Sequence, residues 1–260
     1  MHSVLQTTVW ECVESLFAYH NETLNIYSHL LPFVLHAWWL VSDHGLDQDP
    51  LRVVAFPYQV MVTICMLCSS AYHTFMSACT SPEGYKLLLS VDVGSVAASM
   101  AAAGLNVAWL PLACVSPFWK LGFFLGGGAL GITLVLKAKN VVGRGLGFLL
   151  LVGMVAGGVA LRMFTEFGGT KGDSLWIASA LLTTIGGFLN ATRIPERWGP
   201  PGFWDFHLNS HTLMHLMTAA SSFCCLQATI YDIEESANLS RLHQCAMEQW
   251  PLPTLTRWLT

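Results

Sequence analysis

The chain has 260 residues, of which 53% are hydrophobic and only 11% charged, and it carries a net charge of −4. That composition excludes an ordinary soluble domain and indicates a polytopic membrane protein. The small, diffuse charge excludes a nucleic-acid surface. The eight cysteines, most of them in or beside apolar runs, do not make the framework of a secreted disulfide scaffold.

Taken in order, Met1 to Tyr19 contains no Lys or Arg, so it lacks the basic start and apolar centre of a cleaved signal peptide. Val9, Val13, Leu16 and Phe17 recur at helical spacing, with Glu11 and Glu14 elsewhere around the wheel. This pattern predicts a short helix lying along the membrane surface, with packing against the bundle as the plainer alternative. His20-Asn21-Glu22-Thr23 then supplies polar groups suited to capping the first apolar run, at about 25–42. An acidic loop, Asp43 to Asp49, follows. The second run, about 53–76, ends in Ser69-Ser70-Ala71-Tyr72-His73, and Pro82-Glu83-Gly84 marks a turn.

The third run, about 87–109, carries Asp92 near its beginning and is otherwise small and apolar, which lets helices approach closely in lipid. A fourth run, about 117–136, contains Gly126-Gly127-Gly128 and precedes the basic cluster Lys137, Lys139 and Arg144. The fifth and sixth runs cover about 145–164 and 174–192, and Pro195 is expected to end the sixth. A Gly/Pro-rich link, Gly199 to Gly202, leads to the seventh run at about 208–231. The expected architecture is an all-α, seven-transmembrane helix bundle with a short N-terminal interfacial helix. Its parts are an N-terminal segment (1–24), the membrane domain (25–231) and a polar tail (232–260).

The chemistry centres on Ser210-His211-Thr212-Leu213-Met214-His215. Histidines four apart share one helix face and can grip one metal ion, as in H-E-x-x-H proteases. Thr212 stands where those proteases have their glutamate, so a base must come from elsewhere. His73 and Asp92 are the candidates, because ionisable groups inside apolar runs are costly and usually functional. His73 ends an even run, whereas Asp92, His211 and His215 begin odd ones. All four therefore sit in the same leaflet, whichever way the protein faces, and meet if the second, third and seventh helices are neighbours.

Three imidazoles and an open position form the ligand set of a catalytic zinc site. Asp92 would hold or deprotonate a water there, or act as a fourth ligand, and Ser69, one turn before His73, is placed to contact that water or a substrate oxygen. His29 and His36 read as hydrogen-bonded packing residues, and Cys65 and Cys68 as core thiols.

These residues carry a resemblance to a known family. The chain resembles the progestin and adipoQ receptor family, which includes the adiponectin receptors. The resemblance rests on Ser15-Leu16-Phe17 with the run His20 to His29, on Ser69-x-x-x-His73, on Asp92, and on Arg193-Ile194-Pro195-Glu196-Arg197-Trp198 with Ser210-His211-x-x-x-His215. It implies seven spans, a cytoplasmic N-terminus, and a zinc ion held by His73, His211 and His215 near the cytoplasmic side, with Asp92 and Ser69 nearby. It also implies hydrolysis of ceramide to sphingosine and fatty acid. Basic residues tie between the two sides and give only a slight lean to the same orientation.

The expected function is a zinc-dependent hydrolase of a lipid amide in the plasma membrane, Golgi or endoplasmic reticulum. The first rival is a membrane receptor for a steroid or an extracellular protein ligand, with a structural zinc and no turnover. The second is a metal or proton transporter, which would need polar residues through the other leaflet. Stretches such as Ala97 to Ala103 offer few.

Overall fold

The computed structural model describes residues 7–42, 50–112, 115–164, 171–200, 202–204 and 208–236. The acidic loop at 43–49 and the tail beyond 236 lie outside the described residues. Among the described residues the chain is entirely helical: eight α-helices and two short 3-10 turns, with no strand.

Helix α1 (Val9–Ser15) forms where the sequence supplies a capping box. The Glu11 backbone N–H donates to the Thr8 hydroxyl at 3.2 Å, and the Glu11 carboxylate accepts from the Thr8 backbone N–H at 2.6 Å. That backbone bond, with the Thr8 hydroxyl behind it, holds the Glu11 carboxyl below its ordinary range. Cys12 is buried against the turn that follows the third helix, with its sulfur 3.4 Å from the Ser77 hydroxyl. Trp10, Phe17 and Tyr19 remain exposed.

Helix α2 (Thr23–Ser42) buries Asn25, Ile26, His29, Pro32 and His36, which share one face at helical spacing. Leu31, Val34, Leu35, Trp38 and Val41 face outward. A polar inner face under an apolar outer one is the reverse of a water-soluble helix and suits a lipid surround. The helices α3 (Pro50–Phe75), α4 (Pro82–Trp109), α5 (Pro117–Lys137), α6 (Val141–Phe164), α7 (Gly172–Thr192) and α8 (Ser210–Ser236) complete the chain. These six are long and apolar enough to cross a membrane; α2 is not among them, because its buried polar residues lower its hydropathy.

Helices α2, α3, α4, α6, α7 and α8 form a closed ring, each packed on the next, with α2 returning to α8. Helix α5 lies outside the ring against α4 and α6. One core cluster, including Tyr58, Met66, Val107, Trp176 and Ala228, fills the ring; a second, including Ala97, Phe124, Leu151 and Met154, seals α5 to it. Close approach of α6 depends on Gly158, where a Cβ would stand 2.5 Å from Val107 and 3.3 Å from the Ala108 backbone nitrogen.

Two local features fix helix ends, one at each end of the bundle. Helix α7 stops at Thr192, with Arg193 in the left-handed region at φ 56°. The Arg193 N–H donates to the Asn190 carbonyl and the Ile194 N–H to the Leu189 carbonyl, so the carbonyls of the last turn are satisfied before Pro195 is reached. At the other end of the bundle Arg162 of α6 donates to Asp173 of α7 at 2.8 Å and to both oxygens of Asp232 of α8 at 2.6 and 2.9 Å. Trp176 also donates to Asp232, at 2.9 Å. Helix α8 thus runs as one element to Ser236, beyond the expected limit at 231.

Candidate metal centre

His73 lies near the end of α3, Asp92 in an early turn of α4, and His211 and His215 in the first two turns of α8. Helix α3 packs on α4, and both touch α8 across the ring, so the four groups gather at one end of the bundle. The Nε2 atom of His211 stands 3.3 Å from Nε2 of His73 and 3.2 Å from Nε2 of His215. One ligand nitrogen from each of the three lies within 4.8 Å of the others.

This crowding fits a cation. A tetrahedral ion with nitrogen ligands at about 2.0–2.1 Å separates those nitrogens by about 3.3 Å. Without a cation, three imidazole nitrogens facing one another cannot all be satisfied by the protons available between them.

The far sides of the rings are also positioned. The Nδ1–H of His73 donates to Glu22 at 2.8 Å, which leaves its Nε2 lone pair facing the cluster. Burial works against the Glu22 carboxylate, but the hydrogen bonds from His73 and Asn25 outweigh it and hold its pKa below the ordinary range. Nδ1 of His211 is 3.4 Å from the side-chain oxygen of Asn190. The His215 ring stacks on His29, with centroids 4.0 Å apart and planes at 24°.

The start of α8 is held in place as well. Asn209 accepts from the Thr212 N–H at 2.9 Å, and Glu196 accepts from both the N–H and the hydroxyl of Ser210. Thr212 in turn donates to Asn25 at 2.8 Å, tying α8 to α2.

Asp92 is buried, and its Oδ1 has no hydrogen-bond partner among the described residues. Its electrostatic neighbours are the buried Ser69 and the His73 ring. All five residues singled out in the sequence, Ser69, His73, Asp92, His211 and His215, therefore belong to one neighbourhood.

His36 is a packing residue as expected, with ring nitrogens 3.2 Å from Gln59 and 2.9 Å from Ser222. His29 departs from the expectation. Neither of its nitrogens makes a hydrogen bond of normal geometry among the described residues, and its ring is laid flat on His215. In the sequence Glu22 reads as part of a helix-capping stretch and Asn25 as the start of the first apolar run. The signal that could have found Glu22 is its side: it begins an odd apolar run, as Asp92 and His211 do.

Comparison with known proteins identifies the family. The sequence profile of haemolysin-III related proteins matches residues 17–226, a stretch that contains every residue of the cluster. Progestin and adipoQ receptor family member 4 of Mus musculus is 30% identical over 222 residues, covering 81% of this chain and 78% of that protein. The chain belongs to the progestin and adipoQ receptor family. Further relatives in the family are membrane progestin receptor gamma of Homo sapiens, 25% identical over 87% of this chain and 74% of that protein, and the adiponectin receptor protein of Drosophila melanogaster, 27% identical over 82% of this chain and 50% of that protein. With the family and six membrane-length helices, the chain is a multi-pass membrane protein. Within that family frame, His73, His211 and His215 form a cluster able to hold a metal ion.

Proposed function

We propose that this family member is a zinc-dependent hydrolase that cleaves the amide bond of a membrane lipid, with ceramide giving sphingosine and a fatty acid. The observation that carries the reading is the convergence of three imidazoles, with the buried Asp92 near one of them, His73, and its Oδ1 without a hydrogen-bond partner among the described residues. Nitrogen ligands in threes with a vacant fourth position suit zinc in catalytic use, whereas structural zinc favours closed sets of four ligands, often rich in cysteine.

Zinc, when bound, supplies Lewis acidity that polarises a carbonyl oxygen and lowers the pKa of water to about 7. His73, His211 and His215 hold the ion. Asp92 takes one proton from the attacking water as the new C–O bond forms, and returns it to the nitrogen as the C–N bond breaks. The amine leaves neutral and the acyl group leaves as the acid. Ser69 orients the Asp92 carboxylate.

This reading places the acyl chain of the substrate in the space between α3, α4, α6, α7 and α8, lined by Val62, Met66, Met100, Val155, Thr183 and Ser221 among others. That space reaches Cys65 on α3 and Thr218 on α8, each about one helical turn from Ser69 and His215. An acyl chain lying there would place its polar end at the metal.

In this reading α2, about 30 Å long, is the first of seven spans, and residues 25–231 form the membrane domain. Trp10, Phe17 and Tyr19 then set α1 at the headgroup level, the N-terminus is cytoplasmic, and 232–260 is a tail. The reading sets the protein in the plasma membrane, Golgi or endoplasmic reticulum.

The names of the relatives favour a second reading, a receptor for a steroid or protein ligand with the metal as scaffold. One experiment separates the two. The full chain is purified in lipid, and zinc content and ceramide hydrolysis are measured for wild type, Asp92→Asn and His211→Ala. The hydrolase reading expects about one zinc per chain in wild type and Asp92→Asn, a rate lowered by about 10²–10⁴-fold in Asp92→Asn, and neither metal nor product with His211→Ala. Zinc without product from wild type would leave the receptor reading standing.

A further inference from the structure

The face of α2 that meets the histidine cluster contributes no ligand nitrogen to it, yet it touches two of the three ligand rings by side chain. Glu22, just before the helix, accepts from Nδ1 of His73 at 2.8 Å. Asn25 donates to that same Glu22 oxygen at 2.8 Å and accepts from Thr212, which lies between the two α8 histidines in sequence. His29, one further turn along, lies against the face of His215. Residues 22, 25 and 29 share one helical face. Both Asn25 and His29 are almost fully buried, at 3% and 2% exposure.

We propose that Glu22, Asn25 and His29 are positioning residues for the metal, an outer layer on α2 that sets the rings of His73 and His215 before the ion arrives. The inference rests on the metal reading above.

Its physical content is specific. A carboxylate accepting from Nδ1 of His73 fixes the tautomer and ring angle and makes Nε2 a better donor to a cation. Asn25 keeps that carboxylate from rotating away, because one oxygen receives both hydrogen bonds. The Nδ1 atom of His215 makes no hydrogen bond of normal geometry among the described residues; the Asn25 backbone is its polar neighbour, so its polar restraint is looser than that of His73. The flat contact with His29 adds a limit on rotation of the His215 ring. An electron-rich neutral imidazole is also a favourable neighbour for a ring made more positive by coordination. His29 thereby does for one ligand by stacking what Glu22 does for another by hydrogen bonding.

The test is zinc affinity of the full chain in lipid nanodiscs, by competition with a chromophoric chelator, together with the visible absorption of the cobalt-substituted protein. The variants are Glu22→Ala, Glu22→Gln, His29→Ala and His29→Phe, with His36→Ala as the control. His36 is an equally buried histidine of α2 whose partners, Gln59 and Ser222, lie away from the ligands.

Glu22→Ala is expected to weaken zinc binding by about 10–100-fold and to shift the cobalt bands. Glu22→Gln, which still accepts from His73, recovers most of that loss. His29→Ala weakens binding toward the lower end of the same range, and His29→Phe, which keeps the stack, restores it. His36→Ala leaves affinity and spectrum unchanged. Wild-type affinity in both Glu22→Ala and His29→Ala overturns the positioning role while the metal site survives. A loss in His36→Ala as large as in the other two overturns it too, because general loosening of α2 then explains the effect. A wild-type chain that takes up no zinc removes the metal reading itself, and this inference with it.

Discussion

At Arg162 the fold hides a guanidinium almost completely, at 1% exposure, and satisfies it with carboxylates from two other helices. Removing one partner of such a buried pair leaves the other charge stranded. Arg162→Ala is therefore expected to cost about 3–5 kcal/mol, read as a fall in the thermal unfolding midpoint of the purified protein. The double change Arg162→Met with Asp232→Leu should recover part of the loss, because the more deeply buried carboxylate goes with the guanidinium, while Asp173 loses Arg162 at a position that water reaches more easily. An unchanged midpoint in Arg162→Ala would show that the pairing contributes nothing. None of this pairing was legible in the sequence, where Arg162 counted as one charge among others on the outer side and Asp232 as the start of a tail. The His211–His215 pair was legible because four residues along one helix set a fixed spatial relation. Arg162 and Asp232 are 70 residues apart and on different helices, so no local spacing records their contact.

Helices show the same division between what is local and what is not. The small residues of the third apolar run predict close packing, and α4 does pack closely, but nothing in them says that α6 is the partner. Gly158 decides how near α6 comes. Gly158→Leu would press a side chain into Val107 and the α4 backbone and should destabilise the protein by about 1–3 kcal/mol. Gly153 is the matched control, since a Cβ there meets nothing within 4 Å. Gly153→Ala should raise stability by up to about 1 kcal/mol through helix propensity alone. The opposite signs, measured as thermal midpoints, would establish that approach rather than glycine content governs this contact. Helix α2 carries the converse lesson. Its extent is close to the expected 25–42, yet the histidines and asparagine that lower its hydropathy are the residues it turns inward. A hydropathy scale counts them against a membrane span, whereas the packed bundle hides them from lipid.

For the whole molecule, the side-by-parity argument puts the ends of α3, α4 and α8 on one side, and the contacts of α3 and α4 with α8 across the ring bring those ends together. What it could not supply was the adjacency of α2 and α8, which brings Glu22, Asn25 and His29 to the cluster. An ion bound between α3 and α8 would link distant parts of the ring and stabilise only the folded form. At a free zinc concentration about 100 times the dissociation constant this amounts to about 2.7 kcal/mol. Stripping zinc with a chelator should lower the thermal midpoint of wild type and leave that of His211→Ala where it is. An equal response in both would place the ion elsewhere.

The contact between Asn25 and Thr212 spans 187 residues of chain. A ribosome adding about 5–20 residues per second needs roughly 10–40 s to cover that distance. Throughout that interval the polar face of α2 has been made and its partner has not. Asn25 and His29 are without their α8 partners, Thr212 and His215, until that helix has been made. The centre is thus a feature of the finished chain alone: a product truncated before residue 210 would hold every preceding helix and one histidine of the three.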